Sequence, residues 1–224
     1  MQWLHRQFSA NESQGNVERA IDELASDPQV HGVFVQLPLP SQLDAFAIID
    51  RIPPRKDVDG LSKRSLGQLV RGKPTHPPAT PDGIVQLLEL YGIEVRSRSV
   101  AIVGKSVEIA RALALLFVTR GAADVTLVEP SDARFAASAA AADILVAAAE
   151  KPGFLSGDVV KRGATVVDAG YNRTPFGVTG DIEMDSVQKV AGAILPMPGG
   201  IGPATIACLL QHTWDSVQLK GEPA

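Results

Sequence analysis

Cysteine is nearly absent: Cys208 is the only one in 224 residues. One thiol cannot close an internal disulfide or build a cysteine-based metal site. Its place in an apolar, helix-like run marks it as a core side chain. The four histidines, His5, His31, His76 and His212, are scattered without ligand spacing, so no metal site is expected. Lysine and arginine form no long cluster, and the net charge is −4. Both facts argue against a nucleic-acid partner. No apolar run reaches the roughly 18 residues of a membrane span. The alanine-rich stretch FAASAAAADILVAAA is broken by Asp143. The first residues, MQWLHRQFSANESQGN, contain no signal-peptide h-region. Internal repeats and low-complexity linkers are also missing. The expectation is a soluble, cytoplasmic protein with no membrane partner.

What is present is an ordinary apolar fraction of 45% and a clear periodicity. Asn16–Ala25 has helical spacing, with Asn16 as its expected N-cap. VHGVFVQLPLP, residues 30–40, reads as a short strand buried on both faces and closed by prolines. Asp44–Ile52 reads as a second helix, followed by the charged, proline-rich loop PPRKDVDG. From Thr80 the pattern restarts as TPDGIVQLLELYGI, a helix with Thr80 or Asp82 near its cap. The strand RSVAIVG, the helix VEIARALALLFVTRG, the strand DVTLVEP and the helix ARFAASAAAA follow. DILVAAA and GATVVDAG are further strands, and AGAILPMPGG leads to a closing helix. Strands and helices alternating at these lengths specify βαβ units around a parallel sheet.

The strand RSVAIVG ends at Gly104-Lys105-Ser106, where an open parallel sheet binds phosphate. The G-x-G-x-x-G fingerprint is lacking, and so is the first glycine of a P-loop, because position 99 is Ser99. Glu129 lies about 25 residues beyond the glycine turn. An acidic residue there accepts hydrogen bonds from ribose hydroxyls and repels a 2′-phosphate. The alternative is an exposed glutamate at a strand end. LPMPGGIGPATIACLL, residues 195–210, sets rigid prolines and bare glycines before a helix. Its amides suit an anionic or flat polar ligand; the alternative is a tight turn before a packed helix.

VHGVFVQLPLP, KDVDG, PATPDGI, GDI after DAGYN, and PMPGGIGPAT resemble, in order and spacing, the bifunctional methylenetetrahydrofolate dehydrogenase/cyclohydrolases. The resemblance runs from about residue 17 to residue 213. It implies a Rossmann-type parallel-sheet domain beside a smaller, truncated α/β folate-binding domain. The expected boundaries are 1–78 for the folate domain, 79–198 for the NAD(P) domain, and 199–224 for a helix returning to the first domain. Gln36 and Asp59 match the family's residues working at the folate. Val35, Leu37, Pro198, Gly199 and Gly200 match its substrate contacts. Gly104, Lys105, Ser106, Glu129, Tyr171, Gly202 and Thr205 match its contacts to NAD or NADP. Without the resemblance, Asp59 also reads as an Asx-turn carboxylate and Gln36 as a strand-end amide.

Departures from the family accompany the matches. No lysine precedes Lys56, so the family's catalytic lysine, carried with a tyrosine upstream of these segments, is expected to be absent. A family arginine is Lys105 here. Glycine and proline in the following helix are replaced near Ala110 and Leu113. A histidine-serine segment is Glu129-Pro130-Ser131, and a turn glycine is Glu150. The resulting expectation is an NAD-preferring dehydrogenase with weak or no cyclohydrolase activity, acting on a tetrahydrofolate derivative. The alternative is a non-catalytic or repurposed folate-binding relative. A homodimer through the nucleotide domain is expected, with Trp3, Leu4 and Phe8 helping to cover the shortened first domain.

Overall fold

A computed structural model describes residues 1–219. Residues 220–224 of the expected C-terminal segment lie outside the described residues. Val17, Ile21 and Leu24 form the inner stripe of α1 (Gln14–Ser26) and pack on Ile48 and Ile52. The helix starts earlier than expected. Ser13 is its N-cap, and the Ser13 Oγ accepts the Asn16 N–H at 3.3 Å. Asn16 is therefore a donor inside the first turn rather than the cap. Asp44 caps α2 (Ala45–Ile49) by accepting the Ala47 N–H at 3.0 Å. The sequence reading passed over α3 (Lys63–Val70), a polar segment with Gly67 at its centre and few apolar positions.

Residues 30–40 do not form the expected strand buried on both faces. They are extended, but their β-pairing is one parallel bridge, Val33 to Asp57, with the Val33 N–H donating to the Lys56 carbonyl at 2.7 Å. Val30 and Val33 are buried while Gln36 is exposed. The reason lies in both segments. Pro38 and Pro40 cannot donate to a ladder. The facing residues 53–60 are spent in turns, with Lys56 and Asp57 N–H both donating to the Pro53 carbonyl. Trp3 meets Phe34, ring centres 5.7 Å apart, yet Trp3, Leu4 and Phe8 remain exposed.

From residue 79 the chain follows the expected alternation. α4 (Ala79–Leu90) precedes β1 (Ser99–Val103), and Gly92 leaves the helix with φ +69°. A π-helical turn, Val107–Arg111, capped by Ser106, leads into α5 (Ala112–Thr119). Then come β2 (Asp124–Val128), α6 (Phe135–Ala141), β3 (Ile144–Ala147) and β4 (Thr165–Asp168). A small hairpin of β5 (Asn172–Thr174) and β6 (Gly177–Thr179), too short to show a period in the sequence, precedes α7 (Met184–Val187). β7 (Ala193–Leu195) and α8 (Ile201–Gln218) close the described chain.

The five main strands are all parallel, in the order β2-β1-β3-β4-β7. Strand alternation divides the core. Val100 and Ile102 face Ile84, Leu88, Leu113 and Phe117 on one side. Ala101 and Val103 face Ala139, Leu155 and Val187 on the other. Both faces are covered, which is why these strands read as apolar runs. α8 packs along α4, where Gly83 gives the room: a Cβ there would lie 3.1 to 3.2 Å from Ala204 atoms.

Candidate active site at the carboxyl edge of the sheet

The chain order reverses between β2-β1 and β3, so the ligand crevice of this topology lies beyond the carboxyl ends of β1 and β3. Gly104 stands there. Its φ is +148°, and a Cβ would lie 2.1 Å from the Ala148 carbonyl oxygen. Glycine is required by the close approach of the two strand ends. The Gly104 N–H donates to the Val128 carbonyl at 2.9 Å, which sets Glu129 beside this turn. Lys105 Nζ and Glu129 Oε1 are 2.8 Å apart, both side chains substantially exposed. Ser106 uses its Oγ as a cap, accepting the Ile109 and Ala110 N–H groups at 3.2 and 3.4 Å. Two surface hollows of about 380 and 330 Å³ lie at the opposite edge, near Ser99 and Asp124 and near Asp143 and Thr165.

The Asp59 turn comes to this edge from the first part of the chain. The two aspartates of KDVDG divide their work. Asp57 is fully buried and accepts the Ser62 N–H at 2.8 Å and the Ser65 hydroxyl at 2.6 Å, fixing the turn. Asp59 lies two residues on and is half-buried. Burial, and next the neighbouring Asp57 charge, push its pKa up to about 6, while the Ala79 amide and His212 pull the other way. Glu108, in the π-helical turn after β1, also acts on Asp59 and raises it. The Asp59 turn and the π-helical turn after β1 therefore adjoin. Gly60 must be glycine here, with φ +68° and the Pro77 backbone 2.6 Å from a would-be Cβ.

Pro198 to Gly200 enter α8 at the same edge. Gly199 has φ +106°, and the Gly200 N–H donates to the Pro196 carbonyl at 3.0 Å. Both Leu37–Pro38 and Met197–Pro198 are cis. Pro198, Gly199 and Gly202 are exposed, and nothing lies within 4 Å of a Cβ built at Gly199 or Gly202. Thr205 is engaged internally, its hydroxyl 3.1 Å from the Thr80 hydroxyl. Gln36 is exposed and donates only to its neighbour's carbonyl, Leu37, at 3.0 Å. Val35 and Leu37 are half-buried on either side of it. Tyr171 follows β4, exposed, with the Arg173 guanidinium 5.9 Å from its ring centre.

The sequence reading missed the buried pair His212 and His76, whose rings stack at 5.0 Å behind the Asp59 turn. They are 136 positions apart in the chain, so no local spacing could pair them. It also gave no role to Asp181, which accepts N–H groups from Ala149, Glu150 and Lys151 at 2.6, 3.0 and 2.8 Å. Among the described residues no group of three or more histidines, cysteines or acids could hold a metal ion. None of their helices is long and apolar enough to cross a membrane.

These features define a doubly wound parallel-sheet protein of the dinucleotide-binding class, with a second segment set against its ligand edge. Residues 78–221 match the NAD(P)-binding domain of tetrahydrofolate dehydrogenase/cyclohydrolase, and residues 1–59 match its catalytic domain. The bifunctional protein FolD 2 of Frankia casuarinae is 45% identical over 210 residues, covering 94% of this chain and 73% of the relative. FolD of Bordetella avium is 40% identical, covering 96% and 76%. The solved dehydrogenase/cyclohydrolase of Campylobacter jejuni superposes with a TM-score of 0.89 at 35% identity, covering 93% and 74%. That of Trypanosoma brucei, solved with NADP and an inhibitor, gives 0.87 at 33%, covering 93% and 74%. The chain belongs to the tetrahydrofolate dehydrogenase/cyclohydrolase family. Its dinucleotide is NAD or NADP, and the Gly104 turn at the switch point, with Glu129 beside it, fits such a ligand.

Proposed function

We propose that this chain is a methylenetetrahydrofolate dehydrogenase that prefers NAD to NADP and hydrolyses the methenyl product weakly. The observation that carries the reading is the meeting of the Asp59 turn, the 196–200 loop and the Gly104 turn at one edge of the sheet. The reaction breaks the C–H bond of the methylene carbon between two folate nitrogens, leaving the methenyl cation. Bound NAD or NADP supplies the hydride acceptor. Lone pairs on the adjoining nitrogens stabilise the cation, so the protein's task is positioning. Asp59, when ionised, can accept two hydrogen bonds from an aminopyrimidine edge. Gln36, exposed and bonded only to the Leu37 carbonyl, has its amide available to the same ligand. The glycines at 199 and 200 keep the loop bare enough for two flat rings to approach.

Glu129 supports the NAD preference. A 2′-phosphate about 4 Å from its carboxylate costs roughly 1 kcal/mol in water and about 4 in a partly desolvated site. Lys105 is bound to Glu129 and offsets part of this charge. Ring opening of the methenyl cation needs proton transfer, worth about 10²–10⁴-fold. Lys56 Nζ donates to the Ala25 and Asp27 carbonyls, at 2.7 Å each, which engages it away from such a transfer. A homodimer through the sheet domain is part of the reading; Val118, Leu127 and Phe176 leave apolar surface there.

Absorbance assays with methylenetetrahydrofolate and each dinucleotide test the proposal. NAD should give the higher kcat/KM. Glu129→Ser frees Lys105 and should swing the ratio toward NADP about tenfold. Better turnover with NADP in the unaltered chain would remove the role given to Glu129. Methenyl absorbance should decay little faster than in buffer. A rapid, enzyme-dependent decay lost in Gln36→Ala would mean that another group carries the proton. Folate binding with no hydride transfer to either dinucleotide would favour a binding protein instead.

A further inference from the structure

Behind the Asp59 turn, between α4 and α8, lies a buried polar cluster. His212 on α8 is 4% exposed. Its Nδ1 lies 2.8 Å from the Val58 carbonyl oxygen, and its Nε2 lies 3.3 Å from Asp82 Oδ2 on α4. A neutral imidazole has one N–H and one lone pair. Here both partners are acceptors, and Asp82 Oδ2 already accepts from Gln86 Nε2 at 2.7 Å. Only the imidazolium satisfies both contacts. Burial pushes the His212 pKa down, but Asp82 and the Val58 carbonyl outweigh it and hold it above the ordinary value. Burial likewise raises Asp82, while His212 and Gln86 bring it below the usual carboxylate value.

The groups around this charge come from every packed element. His76, in the loop before α4, stacks on His212, and burial together with the His212 charge keeps it below the ordinary imidazole value. Its Nε2 meets the Ser216 hydroxyl at 2.9 Å. Asp57 and Asp59 face the cluster from the turn, and Asp215 acts from α8 itself. Burial and Asp82 push the Cys208 thiol up to about 12, so it carries no charge. Val58 is also held by shape. A Cβ at Gly32 would lie 2.7 Å from Val58 Cγ1 and 2.9 Å from Thr213 Oγ1, next to His212. The His212 contact is the polar anchor of this joint.

We propose that His212 is a positioning residue: clamped by Asp82, it holds the Val58 carbonyl and thereby sets the orientation of Asp59, the next residue. The inference rests on reading Asp59 as the pterin-binding carboxylate. The same positive charge favours the ionised Asp59 that such binding needs. Deprotonation of His212 would put a lone pair against a carbonyl or a carboxylate and release the turn. Folate affinity should then weaken as pH rises through the His212 titration, while dinucleotide affinity does not.

The test uses the full chain with ¹⁵N-histidine and carboxyl-¹³C labelling, alongside kinetics. At pH 6 both His212 nitrogens should carry protons, and Asp82→Asn should lower the His212 titration. His212→Gln should move the Asp59 carboxyl titration upward, a readout that needs no folate. Asp82→Asn and His212→Gln should each raise the KM for methylenetetrahydrofolate about five- to tenfold, with the dinucleotide KM within about twofold. The double variant should be little worse than either single one, because the two residues act as a pair. A singly protonated His212 at pH 6, or an Asp59 titration unmoved by His212→Gln, overturns the proposal. So does an unchanged folate KM in both single variants when Asp59→Asn raises it. If Asp59→Asn itself leaves that KM unchanged while the Asp59 titration still follows His212, the pterin reading fails and the positioning stands.

Discussion

Asp59 and Glu150 each sit where their side chain or backbone would rather not be, for different reasons. Asp59 is a carboxyl in a dry turn next to a second carboxylate, with its pKa pushed up to about 6. If it binds the pterin as an anion, kcat/KM for methylenetetrahydrofolate should fall as pH drops below about 6. The same quantity for the dinucleotide should stay flat over that range. A folate profile flat down to pH 5 would remove Asp59 from binding. Glu150 has φ +54°, where a side chain crowds its own backbone. That conformation costs roughly 1–2 kcal/mol for most residues. Glu150→Gly relieves it, partly offset by the larger entropy of an unfolded glycine. The expected net gain is about 0.5–1 kcal/mol in urea unfolding.

At the scale of elements, two joints hold the site. The first is Asp181, after the β5–β6 hairpin. It accepts from three consecutive amides, Ala149 to Lys151, and from the Asn172 side chain at 2.8 Å. Asp168 at the end of β4 in turn accepts the Asp181 and Ile182 N–H groups at 2.8 and 3.3 Å. Asp181→Ala leaves three part-buried amides without this acceptor and should cost about 2 kcal/mol by chemical denaturation. The second joint is α4 against α8 at Gly83. A β-branched side chain cannot enter a gap already 3.1 Å wide at Cβ. Gly83→Val should cost about 2–3 kcal/mol by overpacking. It should also raise the folate KM, because α8 carries the 196–200 loop at its start.

For the molecule as a whole, the buried ionisable groups set the pH of greatest stability. Asp59 and Asp168 are both raised from 3.8 to about 6, burial being the first cause in each. The folded state binds those protons more tightly than the unfolded chain, so stability falls as pH rises from about 4 to 6. His212 is raised above 6.5, so its contribution is complete below that value and is lost as pH climbs through the folded titration. Asp82 is lowered, and its contribution is present above 3.8. His76, held below 6.5, works the other way, but Asp59, Asp168 and His212 act together, so the urea midpoint should be higher at pH 5.5 than at pH 8. An equal or higher midpoint at pH 8 would mean that these carboxyls are better solvated than their surroundings indicate. Sedimentation at micromolar concentration should give twice the 23.6 kDa chain mass if the sheet domains pair.

Local pattern determined the nucleotide half of this protein. Strands buried on both faces, such as Val100 to Val103, are continuous apolar runs in any context, and their alternation with helices implies a parallel sheet. Gly104 was legible because a strand-to-helix turn has few other ways to bring backbone so close. The motifs QLPLP, KDVDG and PGGIGPAT pointed to the folate side without revealing its shape. There the apolar run 30–40 looked like a strand, and only tertiary structure decided otherwise, since a strand needs a facing partner and residues 53–60 are turns. The π-helical turn after Ser106 and the hairpin at 172–179 leave too few residues for a period to register. His212, Asp82 and Val58 stand far apart in the chain. Their shared charge exists only because α8 packs across α4 and onto the turn at Asp59.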